Sequence, residues 1–175
     1  GRTVLQPLEE IKEAIEDGSF FKKPALVKAC KQAKRTKKSA LHLLGMISDQ
    51  GVHAHIDHLF ALLDLAKKYG VPKVYIHAIT DGRDVPEHSA EIFIRRIQNA
   101  IRKRGMEKIT SIATIIGRYF AMDRDHNWNR IEKAYNLYSL GKGAMESDPI
   151  TAIHNAYGRG AETDYYIEPI ILDIN

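Results

Sequence analysis

Four basic side chains, His53, Arg83, Arg118 and Arg124, and three carboxylates, Asp49, Asp84 and Asp123, fall within three short polar segments of the chain. These are Ser48-Asp49-Gln50-Gly51-Val52-His53, Thr80-Asp81-Gly82-Arg83-Asp84 and Gly117-Arg118-Tyr119-Phe120-Ala121-Met122-Asp123-Arg124-Asp125. Guanidinium groups hold carboxylate and phosphate oxygens in bidentate fashion, so side chains of these types would make a pocket for a small, multiply charged anion if they converged. Each segment directly follows an apolar run that reads as a buried strand. Loops at the carboxyl ends of parallel strands share one crevice in an open α/β sheet, and that crevice is where the three would meet.

Each segment also has a plainer reading. Gly51 allows a sharp turn, and His53 sits just ahead of a helical pattern, where it could serve an anion at the helix start or act only as a cap. With His55 and His58 it has the spacing of a metal site, a weaker reading because no second acidic cluster stands ready to complete it. Asp81-Gly82 is a strong turn dipeptide that projects Arg83 and Asp84 from a tight corner; taken alone it could be a solvated surface turn. In the third segment Arg118 and Arg124 bracket Tyr119, Phe120, Ala121 and Met122, which are expected to pack inward and hold the two arginines. Asp125 or Asn127 is expected to cap the next helix, and Trp128 to lie in the core.

The elements that must position these segments follow from periodicity and punctuation. Helices are predicted over 7–17 and 24–34, each opening on a proline, and then the pattern of strand, polar loop and helix occurs three times. Its strands are 40–47, 73–79 and 108–116, and its helices 56–69, 89–104 and 128–140 end at Gly70, Gly105 and Gly141. A helix capped by Asp148 and opened by Pro149 leads to a last strand over 165–172. Three successive units imply parallel strands joined by crossover helices. The fold class is therefore α/β, a single domain of three layers (α/β/α) with a mainly parallel sheet, whether open or mixed and partly barrel-like.

A length of 175 residues suits one domain. A net charge of +4 is mild, and the basic stretch 34–38 reads as a solvated helix end and turn, so nucleic acid is not expected as a partner. The lone Cys30 cannot form an internal disulfide and reads as a buried structural thiol in a reduced compartment. No apolar run reaches the ~20 residues of a membrane span and no signal-peptide pattern opens the chain, so a soluble, cytoplasmic protein is expected. The chain opens at Gly1 without an initiator Met and stops at Asn175 just after an apolar run, and both ends read as cut from something longer.

The three segments, in this order and spacing, closely resemble the cofactor-independent phosphoglycerate mutases, and the resemblance runs from Gly1-Arg2 through the Asp148-Pro149 helix to Glu168-Pro169. Members of that family interconvert 3-phosphoglycerate and 2-phosphoglycerate, a step of glycolysis and gluconeogenesis. The resemblance implies an isomerase of two domains: a phosphatase-like domain with two manganese ions and a serine that becomes phosphorylated, and an inserted transferase domain that holds the glycerate. It places substrate contacts on His53, Arg83, Asp84, Arg118 and Arg124. The three arginines would grip carboxylate or phosphoryl oxygens, and His53 and Asp84 would orient glycerate hydroxyls.

The departures matter equally. The downstream Arg-Pro-Asp-Arg segment of the family, the nucleophilic serine and the metal site are all absent from this sequence. Ser48 and Ser89 lack the surroundings that would activate a serine. Residues 1–175 therefore read as the transferase domain alone, with no catalytic nucleophile and no metal of its own, inactive by itself, monomeric, and partnered by the phosphatase-like domain of the same polypeptide. Two other readings stay open: a self-contained metal-dependent phosphoesterase using His53, His55 and nearby acids, and a non-catalytic anion-binding or nucleic-acid-binding module.

Overall fold

A computed structural model describes residues 6–36 and 38–173. The Gly1-Arg2 end of the resemblance, Asn175, and Lys37 of the basic stretch lie outside the described residues. Helices α1 (Pro7–Glu16) and α2 (Pro24–Ala33) both open on proline, whose fixed φ suits the first helical position. The repeating units follow: β1 (Leu41–Met46), α3 (Ile56–Tyr69), β2 (Val74–Thr80), α4 (Ala90–Lys103), β3 (Thr110–Gly117), a four-residue helix α5 (Arg118–Ala121), and α6 (Trp128–Leu140). β4 (Ala144–Glu146), α7 (Pro149–Gly158), a 3-10 turn at Asp164–Tyr166 and β5 (Ile170–Leu172) complete the chain.

The five described strands form one sheet in the order β1-β2-β3-β5-β4. β1, β2 and β3 are mutually parallel, as the repeated pattern requires, while β5 runs antiparallel to β3 and parallel to β4. The sheet is thus mixed. Residues from α2, α3, α4 and α7 pack on one face, where Leu63, Ile76, Ile94, Ile97, Ile115 and Ile153 are almost fully buried. The opposite face is covered by α5 and α6 through Ile79, Ile116, Phe120, Ala134 and Leu137, which gives the third layer. β2 and β3 are mostly buried and rich in β-branched residues, whereas edge strand β1 leaves Leu44 58% exposed.

Three expectations need correction. Trp128 is 69% exposed, because Phe120, Ala134 and Leu137 already fill that side of the sheet and Trp128 stands at the first position of α6. The last strand is short: Tyr165 and Tyr166 belong to the 3-10 turn, where the backbone is pressed against Gly82 and Gly117, and pairing starts only after Pro169, which has no N–H to give. The third polar segment is not all loop, since Arg118 to Ala121 make a helical turn. β4 had no sequence signal, being three residues whose partner β5 is distant in the chain.

Candidate functional site

Because β1, β2 and β3 are parallel, their carboxyl ends lie on one edge of the sheet, and each is followed by one of the three polar segments. The meeting of the second and third is direct. Arg118 Nη1 donates to Asp81 Oδ1 and to Asp84 Oδ2, both at 2.6 Å. The Asp81 side chain is fully buried and those of Arg118 and Asp84 are 9% and 17% exposed, so this network is shielded from water.

The local chain explains why Asp81 can do this. Its Oδ1 also accepts the N–H groups of Arg83 (3.2 Å) and Asp84 (3.1 Å), closing an Asx turn over Gly82, which has φ +62. A side chain at Gly82 would strike the backbone of Tyr165. Burial alone would raise the Asp81 pKa, but the Asp84 N–H, the Arg118 guanidinium and the neighbouring Ser48 hydroxyl outweigh it and hold the carboxyl below its ordinary value. Burial would likewise lower the Arg118 pKa, and its bonds to Asp84 and Asp81 raise it instead. Both groups therefore keep their charge at neutral pH.

Ser48 links the first segment to the same network. Ser48 Oγ and Asp81 Oδ2 are both buried with no partner at strict hydrogen-bond geometry, and the Ser48 hydroxyl lies close enough to the Asp81 carboxyl to help hold it ionised. Ser48 also ties down the far end of its loop, its carbonyl accepting from Ile56 N at 2.8 Å. The cap of α3 is His55, whose Nδ1 accepts from Asp57 N, so His53 is not a cap.

Of the residues expected from sequence, Arg118 and Asp84 are in direct contact, and Arg83 stands beside Asp84 in the same turn. His53, Arg83 and Arg124 are exposed at the tips of their loops, and no hydrogen bond or salt bridge joins His53 or Arg124 to the Arg118 network among the described residues. Two of the three acids first grouped with them serve other ends. Asp49 pairs with Arg96 of α4 at 2.8 Å. Asp123 accepts from the N–H groups of Asp125 and Asn127, from Asn127 Nδ2 and from Arg130, which fixes the path of the third loop. The cap bonds expected of Asp125 or Asn127 are absent from the N-terminus of α6. The apolar interior of that loop does pack: Phe120 is buried, and Tyr119 lies under the Arg130 guanidinium at 3.9 Å and against Tyr165 and Tyr166. Among the described residues, no group of three or more His, Cys, Asp and Glu could hold a metal ion, and His55 serves as the cap of α3.

Asp81 was legible only as a turn residue; its role as the anchor of Arg118 depends on two strands being neighbours. Asp164, which closes on this region from the far end of the chain, gave no signal at all.

The family described as BPG-independent PGAM N-terminus (iPGM_N) matches residues 11–175. This chain belongs to that family. Its relatives include the 2,3-bisphosphoglycerate-independent phosphoglycerate mutases of Moorella thermoacetica (49% identical over 98% of this chain and 33% of that protein), Clostridium perfringens (47%, over 99% and 33%) and Salinibacter ruber (44%, over 97% and 32%). The chain thus spans about a third of the length of these relatives. A crystal structure of Leishmania mexicana phosphoglycerate mutase, determined at low cobalt concentration, superposes with a TM-score of 0.89 at 29% identity, over 98% of this chain and 32% of that one. The chain shares the fold of the third of that structure on which it superposes.

Proposed function

We propose that residues 1–175 form the transferase domain, the substrate-binding part, of a phosphoglycerate mutase that interconverts 3-phosphoglycerate and 2-phosphoglycerate. The observation that carries this reading is the Arg118–Asp81–Asp84 network, which draws two strand-end loops of an iPGM_N chain onto one edge of the sheet beside a third. Arg83, Arg118 and Arg124 are assigned to the carboxylate and phosphoryl oxygens of the substrate, and His53 and Asp84 to its hydroxyls. With Nη1 already given to Asp81 and Asp84, Arg118 is held rigid, and a rigid guanidinium loses little entropy when an anion docks.

The phosphoryl group would pass through a serine on a phosphatase-like domain outside this chain, and the two manganese ions implied by the family resemblance belong to that domain as well. Closure of the two domains would exclude water, so that phosphate passes to glycerate and not to solvent. This chain's part is to bind and orient. Each charge-assisted hydrogen bond it makes contributes about 1.5–3 kcal/mol when desolvated and less in an open domain.

The test is an NMR titration of the chain with 3-phosphoglycerate, combined with an activity assay. Weak binding with shifts concentrated in residues 48–53, 80–84 and 117–125, and no turnover, is the expected result. Shifts scattered elsewhere, or none at millimolar ligand, would sink the pocket, and turnover free of contaminating enzyme would overturn the assignment of the chemistry to another domain.

A further inference from the structure

We infer that Asp164 is a positioning residue for this pocket: through its carboxylate, its N–H and its carbonyl it fixes both ends of the loop that carries Arg83 and Asp84. The inference rests on the substrate-binding role proposed for that loop.

At the loop's start, Thr80 Oγ1 donates to the Asp164 carbonyl at 2.6 Å. Near its end, Asp164 N donates to the Glu87 carbonyl at 2.8 Å. At its end, Asp164 Oδ2 accepts from Ser89 N and Ala90 N, both at 2.7 Å. Those two amides open α4, whose own N-cap residue, Ser89, makes no side-chain cap bond, so the cap is supplied from 75 residues away. The carboxylate is held in turn by the hydroxyl of Tyr157, which donates to Oδ1. Asp164 is 1% exposed.

The middle of the loop rests on the same segment. A Cβ on Gly82 would stand 2.6 Å from Tyr165 N and 2.9 Å from Asp164 Cβ, so the turn that projects Arg83 lies directly on the 164–165 backbone. The start of the Arg118 loop is tied there too, with Gly117 N donating to the Ile167 carbonyl at 2.7 Å. Asp81 and Asp84, which grip Arg118, lie between the two ends that Asp164 holds. A helix cap alone would need only the carboxylate; three anchors on one ten-residue loop constrain where Arg83 and Asp84 can go.

The test uses the full-length protein that contains this chain. Asp164→Ala is expected to lower kcat/KM for 3-phosphoglycerate roughly 10- to 100-fold, mainly through KM, because small misplacements of binding groups have effects of that size. Asp164→Asn should recover most of the loss, since its amide oxygen can accept from Ser89 and Ala90 and its NH₂ can donate to the Tyr157 hydroxyl. In an Arg83→Ala background the Asp164→Ala effect should shrink, because one of the groups being positioned is gone. Asp164→Ala that lowers the melting temperature but leaves kcat/KM unchanged, or an effect that adds in full to that of Arg83→Ala, overturns the inference. If Asp164→Ala does not fold, Thr80→Val removes only the hydroxyl anchor: a fall in kcat/KM that shrinks in the Arg83→Ala background supports the inference, and no fall overturns it. An Arg83→Ala enzyme with full activity overturns the binding role and the inference with it. A crippled Arg83→Ala enzyme beside an unaffected Asp164→Ala enzyme overturns the inference alone.

Discussion

Replacing Asp81 with Ala strips the Arg118 network of its buried member, and the cost can be worked from the geometry. Removing one partner of a buried ion pair destabilises by about 3–5 kcal/mol, because the remaining charge is left without compensation. Arg118 would still be held by Asp84 at 2.6 Å, so the lower end, about 3 kcal/mol, applies. Asp84→Ala is milder. It removes a single charge-assisted bond from a side chain that is 17% exposed, at a cost of about 1.5 kcal/mol, and leaves Asp81 in place. Urea unfolding followed by far-ultraviolet circular dichroism measures both, and with a slope of ~2 kcal/mol per molar the Asp81→Ala midpoint should fall by roughly 1.5 M. The pH dependence provides a second check. The folded-state pKa of Asp81 lies below its unfolded value of 3.8, so the stability it contributes is fully present above 3.8 and is lost as the pH falls through the folded value. Wild type and Asp81→Ala should therefore converge on acidification. A midpoint shift no larger than that of Asp84→Ala, or a gap that widens as the pH falls, would refute the reasoning.

Gly82→Ala combines a positive φ of +62 with a clash against the Tyr165 backbone, whereas Gly51→Ala meets only the positive φ of +68 in open space; thermal melts should show a cost of about 1–2 kcal/mol for Gly51→Ala and clearly more for Gly82→Ala. Burial, with help from His42, pushes the His77 pKa down to about 4, so the neutral ring stabilises the fold above 6.5 and that contribution is lost as the pH falls from 6.5 to about 4. In His77→Gln the melting temperature should lose that part of its acid sensitivity. Cys30 is 2% exposed and burial raises its thiol pKa, so a disulfide reagent should label it in urea but not in the native chain at neutral pH.

The alternation of apolar runs, polar turns and glycine-stopped helices was enough to place α3, α6 and the three parallel strands, because those elements follow from hydrophobic periodicity and local caps that a sequence displays directly. Parallel order then put the three charged segments on one edge of the sheet, and the motif match gave Arg83, Asp84 and Arg118 as candidates without coordinates. Residue types could not say which charges would pair. Asp49, Asp84 and Asp123 look alike along the chain, yet one binds α4, one binds Arg118 and one folds its own loop, since each choice depends on which backbone stands opposite. Trp128 misled for a related reason: size and apolarity favour burial, but the volume it would have filled was already taken by Phe120 and Leu137. The sequence by itself determined the layered α/β fold and the three strand-end loops, and it offered the candidate residues of the site. Only the tertiary structure decided that Asp81 anchors Arg118 across 37 residues and that Asp164 clamps a loop from 75 residues away, because contacts at that separation leave no periodicity for a sequence to show.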